Sequence, residues 1–489
     1  LQKIAFGKYC NVLRLLPGDY FVMIREFKFF SLILTALAGG LYSVKASEVP
    51  AEAVSVATNS KPLLVTTTKP LLVSTSSEPL FLTVPYVIER IKEQNLQLLI
   101  QKESVRRALE RIYQRRAALL PQFSARTSQT RRQLGQGFAG GNLNTPPFNS
   151  FGARIEGSLS LIDAQRYADF RIAKLGQAIE QLDYEVAVQD LLDQAIFVYF
   201  TQLRDLRRIE IVKGNLEREL QLLDLAQQQF DAGVAVKIDV TRAEVRLATV
   251  KRTLMEAQTN ADDSILQLKD LLDMDLDQPV VLDRSLAEAV NSPPALKRYG
   301  QMADLTELRP EIKSQQIQLD QAILAKRATK WQRLPTLSIF ADGGYESNEL
   351  LDEDKGEAWM LGVEASIPIW EGGRIAAESR EAQAAVRQNE YAMRALDNAI
   401  EREFKFAILE MDSRHAQIEI AGDEVRLGKD EVEQARERYN EGLADNRELI
   451  DAQQRLADAE DSHLRAIYLY GLSRLAFARA IGSVERVME

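Results

Sequence analysis

Histidine and cysteine are almost missing from this chain of 489 residues, which holds only His415, His463 and Cys10. Two histidines, both inside helical patterns, leave no material for a histidine-dependent triad or a multi-histidine metal site. No phosphate-binding glycine loop follows a strand and opens a helix, because the Gly372-Gly373 pair lacks the further spacing and the lysine. Acidic residues are abundant but spread along helix faces, so neither an enzyme nor a cofactor is expected. Basic character is lacking as well. The net charge is −10 and no basic face stands out to neutralise phosphates, which excludes a nucleic-acid partner. Glycine, at 25 residues, and proline, at 15, are sparse for this length, and aromatics make up 7%, so long helices are the natural reading. Beyond residue 46 no segment approaches the roughly 18 uninterrupted apolar residues of a helical membrane span. If the mature chain crosses a membrane, it must do so with strands.

The N-terminal region reads as residues to be removed or left unpacked. Met23 opens a secretory signal in which Arg25 and Lys28 give the positive end and Phe29 to Leu41 the apolar run. Val44 and Ala46 supply the small-residue cleavage pattern, so the mature chain is expected to begin near Ser47. A single membrane anchor is the alternative, but the apolar run is short for one. Residues 1–46 are thus an upstream extension and signal, and Cys10 lies outside the mature protein, neither a lipid anchor nor half of a disulfide. Residues 47–83 form a flexible Ser/Thr/Pro-rich lead-in that nearly repeats itself, KPLLVTT at Lys61 and KPLLVST at Lys69.

The remainder is a duplication. FDAGVAVKIDVTRAEVRLA from Phe230 aligns without gaps with YNEGLADNRELIDAQQRLA from Tyr439, so that Gly233 falls on Gly442 and Asp239 on Glu448. LPQFS at Leu120 matches LPTLS at Leu334, and IEGSLSLIDAQR at Ile155 matches VEASIPIWEGGR at Val363. Two structural repeats follow, residues 84–290 and 291–489. Each has a helix of moderate length (Tyr86 to about Ala118; Arg309 to about Gln332), two strands, and a very long helix. The long helices are expected over Arg166 to Ala232 and Arg374 to Asn440, free of proline and roughly 100 Å long at about 1.5 Å per residue. Such rods suit a tube across a wide compartment better than a single globular core. The second rod carries Val386, Met393 and Ile400 at sevens, then a step of four to Phe404 and sevens through Met411, Ile418, Val425 and Val432 to Tyr439. Small residues follow three positions on at Ala407, Ala421, Gly428 and Ala435, with Arg414 breaking the row. The sevens indicate coiled-coil packing and the four a stutter that relaxes the supercoil. An antiparallel coiled coil in a structural protein would explain this row equally well.

The strands alternate. In the second repeat Leu337, Ile339, Ala341, Gly343 and Tyr345 oppose Thr336, Ser338, Phe340, Asp342 and Gly344. A partner strand sets Leu361, Val363, Ala365, Ile367 and Ile369 against Gly362, Glu364, Ser366 and Pro368. The first repeat sets Ile155, Gly157, Leu159 and Leu161 against Arg154, Glu156, Ser158 and Ser160. This is the period of membrane-barrel strands, apolar outward and polar inward. The first strand, from Gln122, departs from it at Arg126, Arg131 and Arg132, the last two marking the membrane edge, and residues 131–151 read as an external loop. Two hairpins supply four strands, whereas a closed membrane barrel needs at least about eight, so the chains must associate, and three copies would give twelve. The competing reading is a soluble periplasmic coiled-coil scaffold or adaptor whose hairpins never meet lipid.

Over residues 84 to 485 the sequence resembles the TolC family of outer-membrane efflux proteins. The marks are the duplication, SIPIWEGGR at Ser366, RPEI at Arg309, and the Y-x-x-G turn at Tyr439 followed by ELIDAQQRLADAE. The resemblance implies a mainly α protein with a small β part, whose long helices build an α-helical barrel through the periplasm. Its four strands join a trimeric twelve-stranded β-barrel in the lipid of the Gram-negative outer membrane. It also implies an efflux or type I secretion duct with a periplasmic adaptor and an inner-membrane pump as partners. In the family the turns of the rods form the periplasmic tip, so Gly233, Val234, Ala235 and Val236, with Gly442 and Leu443, become expected adaptor contacts. Glycine there also suits a plain helix end. Glu448 and Asp451 match pore-lining acidic positions, where three copies would gather six carboxylates able to filter ions; acidic groups at a helix start are also favoured by the dipole. Tyr439 and Asp239 match positions that hold the tip shut. An assisting arginine is replaced by Ala444, with Arg447 as a substitute.

Overall fold

A computed structural model of the chain describes residues 79–133, 146–283, 309–348, 356–441 and 443–485. The signal segment, the lead-in up to residue 78 and Gly442 lie outside the described residues.

Every strand of the main sheet runs into a helix, and strands and helices keep the same order. Helix α1 (Val84–Gln94) and α2 (Leu96–Ala117) precede β2 (Gln122–Arg132), and β3 (Phe148–Ile162) leads into α3 (Ala164–Asp231), which α4 (Lys237–Leu271) follows. In the second repeat α5 (Pro310–Trp331) leads to β5 (Thr336–Ser347), and β6 (Gly356–Ser366) to α6 (Arg374–Asn440) and α7 (Asn446–Ala480). The sheet is antiparallel with order β2-β3-β5-β6. Next to it α2 packs on α3, α3 on α5, and α5 on α6, the same sequence of neighbours. Farther along the rods, α4 folds back on α3 and α7 on α6, and α3 meets α7, giving the row α4-α3-α7-α6. Both returning helices have 35 residues.

Local chemistry sets the junctions. The Asp163 carboxylate accepts the Arg166 amide at 3.0 Å and so caps α3, which continues for 68 residues. At the corresponding point before α6, Gly372 and Gly373 take φ of 62° and 87°, a left-handed pair that residues with a Cβ rarely adopt. The heptad seam of α6 is buried as its period predicts, through Val386, Ile400, Ala407, Met411, Ala421, Gly428, Ala435 and Tyr439. Gly428 is small because α7 passes close: a Cβ there would lie 3.4 Å from the Leu456 Cα.

Where sequence and structure differ, the reasons are local. The first helix is broken in two at Asn95, whose side chain accepts the Leu98 amide at 3.1 Å and donates to the Leu271 carbonyl at 2.8 Å. Leu80–Leu82, placed by the sequence in the lead-in, form β1, paired in parallel with β4 (Val280–Leu282). The Tyr199 hydroxyl, fully buried on α3, donates within this pair of strands to the carbonyls of Leu82 at 3.1 Å and Asp283 at 2.8 Å. The main core gathers here, from Leu82, Val87, Ile91, Leu268, Tyr470 and Ile481. The expected loop over 131–151 is shorter, since Arg131 and Arg132 pair with Asn149 and Phe148 inside the β2–β3 ladder; residues 134–145 lie outside the described residues. Strand β6 ends at Ser366 and does not reach Ile369, because Pro368 has no amide hydrogen for a ladder. Ile369 and Trp370 follow it almost wholly exposed.

The two faces of the sheet are separated by register. Ile155 lies opposite Ala125 and Gly343, and Ile339 opposite Leu159 and Val363, so one face is continuous in apolar side chains. The other face carries Ser124, Arg126, Arg154, Glu156, Ser338, Asp342 and Glu364. Arg126, which the alternation had seemed to exclude, lies on this polar face 3.6 Å from Glu156. Its neighbour Arg154 bridges to Asp342 at 2.8 Å and to Glu346. Phe340 stays on the polar face with its ring over Gly362, where any Cβ would collide.

Candidate gate and docking tips

The ends of the two hairpins, α3–α4 and α6–α7, are built alike. In the first, Gly233 has φ of 73° and its amide donates to Phe230 O at 3.0 Å. The amides of Val234 and Ala235 donate to Gln229 O at 2.9 and 3.1 Å. In the second, the amides of Leu443 and Ala444 donate to Arg438 O at 2.8 and 3.2 Å, the same pair of bonds at the equivalent residues. These bonds satisfy helix-end carbonyls that would otherwise lack partners. Gly442, expected to match Gly233, lies outside the described residues.

The tips differ in what they present. Val234, Val236 and Ile238 are 74%, 61% and 54% exposed, an apolar cluster on the first tip, and Val236 offers no side-chain cap to α4. On the second tip Asp445 caps α7 by accepting the Glu448 amide at 3.2 Å, and Leu443 is exposed. Ala235 is half-buried.

Behind the tips the four helices share a small core of Leu222, Ala226, Val240, Ala243, Tyr439, Leu449 and Ala452 with Ala435. Tyr439 is buried in it, and among the described residues its hydroxyl has no hydrogen-bond partner. Burial first, and the Asp239 charge second, push the phenol pKa above its ordinary value. The chain thus brings Tyr439 and Asp239 near each other, and among the described residues no hydrogen bond joins their side chains. The Asp239 carboxylate is held instead by Arg242, one turn along the same helix, at 3.1 Å. At the tips a hydrogen bond from Asn446 crosses from one hairpin to the other, Nδ2 donating to the Asp239 backbone carbonyl at 2.9 Å, while farther along the rods Arg218 of α3 meets Glu460 of α7 at 2.7 Å.

The acidic positions are likewise modified by a neighbour. Glu448 receives Arg438 from across the turn, an ion pair of Nε with Oε1 at 3.0 Å and a hydrogen bond from Nη2 to Oε2 at 3.3 Å. Asp451 is exposed one turn on, and Arg447 is exposed beside it. Sequence reasoning missed both Asn446 and Arg438. An asparagine at a helix start reads as a cap, and residues ten apart read as unrelated. The turn between them was the available signal, since positions 438 and 448 flank it symmetrically. Among the described residues no group of three or more His, Cys, Asp or Glu could hold a metal ion, and no helix is long and apolar enough to cross a membrane.

Comparison with known proteins agrees with this frame. The family model for outer membrane efflux proteins matches residues 87–273 and 302–483, one segment in each repeat. Over 417 residues the chain is 24% identical to the outer membrane protein TolC of Vibrio cholerae, covering 81% of this chain and 90% of that protein. It is 25% identical over 378 residues to the probable efflux pump outer membrane protein SepC of Pseudomonas putida, covering 73% and 74% of the two chains. The crystal structure of the Campylobacter jejuni CmeC outer membrane channel shares the fold, with a TM-score of 0.70 at 19% identity over 82% of this chain and 85% of that one. Matched in both halves of its duplication, the chain belongs to the outer membrane efflux protein family and is a TolC-type channel protein of the Gram-negative outer membrane with a helical part in the periplasm.

Proposed function

We propose that three copies of this chain close into one passive duct, a twelve-stranded barrel in the outer membrane continued by a helical tunnel, which an inner-membrane pump loads through a periplasmic adaptor. The observation that carries this reading is a four-stranded sheet with one apolar face and two unpaired edges, β2 and β6. Open edges cannot face lipid, and four strands do not close. The outer helices of the row support it from the other side. Phe406, Ile420 and Leu427 on α6 stand exposed at multiples of seven, and Val245, Met255 and Leu266 on α4 stand exposed at steps of ten and eleven, about three helical turns each, so each edge offers an apolar strip to the next copy. Ile369 and Trp370, exposed just past β6, suit the lipid–water interface.

In this reading the side chains line and gate a passage and perform no chemistry; the pump supplies the energy, for expelled small solutes or for a secreted polypeptide. Tyr439 and Asp239 lie where the tunnel closes, Glu448 and Asp451 ring its narrowest part, and Gly233, Val234, Ala235 and Val236 with Gly442 and Leu443 meet the adaptor. Detergent-purified protein should run as a heat-resistant trimer and give discrete conductance steps in a planar bilayer. A monomer soluble in plain buffer, with no conductance, would instead favour the periplasmic scaffold.

A further inference from the structure

The duplication diverges where one tip leans on the other. Counted from the tip glycines, Phe230 and Lys237 of the first repeat correspond to Tyr439 and Asn446 of the second. Phe230 and Lys237 are exposed, whereas Tyr439 and Asn446 are 5% and 1% exposed. The second repeat has therefore turned an apolar ring and a solvated ammonium into two buried polar groups aimed at the first repeat. Burying an amide is costly unless its hydrogen bonds are made. Asn446 is not needed as a cap, since Asp445 already accepts the Glu448 amide. Among the described residues its only side-chain hydrogen bond leaves its own hairpin, running from Nδ2 to the Asp239 carbonyl, and its Oδ1 is buried without a partner. The carbonyl it holds belongs to the first turn of α4, next to the Asp239–Arg242 ion pair.

We propose that Asn446 is a positioning residue of the gate, a latch that ties the α6–α7 tip to the α3–α4 tip within one protomer and must release before the two hairpins separate. This rests on the reading that the tips close the duct. A backbone carbonyl is the acceptor, so the latch does not depend on the Asp239 side chain and does not weaken when that carboxylate turns to Arg242. One such bond favours the closed arrangement by about fivefold, and three protomers losing it together shift the open-to-closed ratio by about a hundredfold.

The test compares single-channel recordings of the full-length trimer in planar bilayers. Asn446→Asp places a carboxylate against the Asp239 carbonyl, and Asn446→Leu keeps the volume while removing the donor. Both should raise resting conductance by at least about tenfold over the unsubstituted channel, with Asn446→Asp the larger; Asn446→Leu should keep the melting temperature of the trimer close to its original value, whereas the buried carboxylate of Asn446→Asp should lower it. Tyr439→Phe combined with Asp239→Ala reports the gate independently. If that double variant opens the channel and neither Asn446 variant does, the latch is wrong and the gate stands. If no variant changes conductance, the latch and the gate reading fall together. A drop in melting temperature without added conductance marks Asn446 as packing only and also overturns the latch. Asn446→Ser, smaller and still polar, serves where the larger changes prevent assembly, and resting conductance unchanged in it counts against the latch.

Discussion

Arg438 reaches Glu448 across the end of the second hairpin as an ion pair with one hydrogen bond, and in the proposed duct this pair sets how much negative charge the tip offers a passing ion. Both side chains are about half exposed, so the bond adds little to stability, at most about 1 kcal/mol. Its electrostatic effect is larger than its energetic one. In the proposed duct a guanidinium bound to the carboxylate cancels most of its field, and Asp451, near Arg455 but in no ion pair among the described residues, is left as the stronger attractor of cations. Arg438→Gln should therefore raise the preference for potassium over chloride, read as a reversal-potential shift under a salt gradient. Asp451→Asn should lower it, and Glu448→Gln should change it least. Equal selectivity in Arg438→Gln and the original channel would dismiss the pair as a determinant. Sequence alone already placed Tyr439, Asp239, Glu448 and Asp451 at the tip, because the tip glycines fix a common origin for both repeats. What Arg438 and Asn446 do there depends on the turn geometry and on contact between repeats, and neither is written in any one segment.

The strands are held in register by close approaches as much as by hydrogen bonds. On β5 two adjacent glycines sit in different surroundings: a Cβ at Gly344 would run into the Ala153 carbonyl of β3, whereas one at Gly343 would meet only the Trp359 Cβ at 3.9 Å. Backbone cannot yield as a side chain can, so β3 and β5 would have to part locally at Gly344. Gly344→Ala should sharply reduce the yield of heat-resistant trimer, while Gly343→Ala should leave most of it. Similar yields for the two would show that the ladder relaxes easily at this point. Elements of this kind were legible in proportion to their length. The rods α3 and α6 begin and end within two residues of where proline-free helical patterns place them, α6 with a heptad row in addition. Strands β1 and β4 have three residues each, too few for any period to register, and Asn95 breaks a helix through a bond to Leu271 that lies far away in sequence. Arg126 misled because a charge in a strand looks like an interruption until the register puts it on the polar face beside Glu156.

At the scale of the whole molecule, the duplication supplies two of everything and then assigns the copies different work. The α6–α7 tip carries Tyr439 and Asn446, buried against the first tip, and the Arg438–Glu448 pair, which is about half exposed. The α3–α4 tip carries Val234, Val236 and Ile238, apolar and exposed. Exposed valines at a helix turn gain nothing from water, and the small core behind them is complete without them. In an assembled duct they fit an apolar contact with the adaptor, whose docking would bury them. Charged replacements would then block docking and leave the barrel untouched, because the tip lies at the opposite end of α3 from the sheet. Val234→Asp with Val236→Asp should abolish pump-dependent export in cells, read as drug susceptibility or loss of the secreted product. The purified variant should keep its trimer and its conductance, since neither side chain belongs to the tip core and Val236 meets Asp239 through its backbone carbonyl, which the substitution keeps. Export at the original level would move the docking surface away from the first tip and toward the flanks of the hairpins. Loss of the trimer would instead mean that the valines hold the copies together, a task the proposed assembly gives to the exposed apolar strips on α4 and α6.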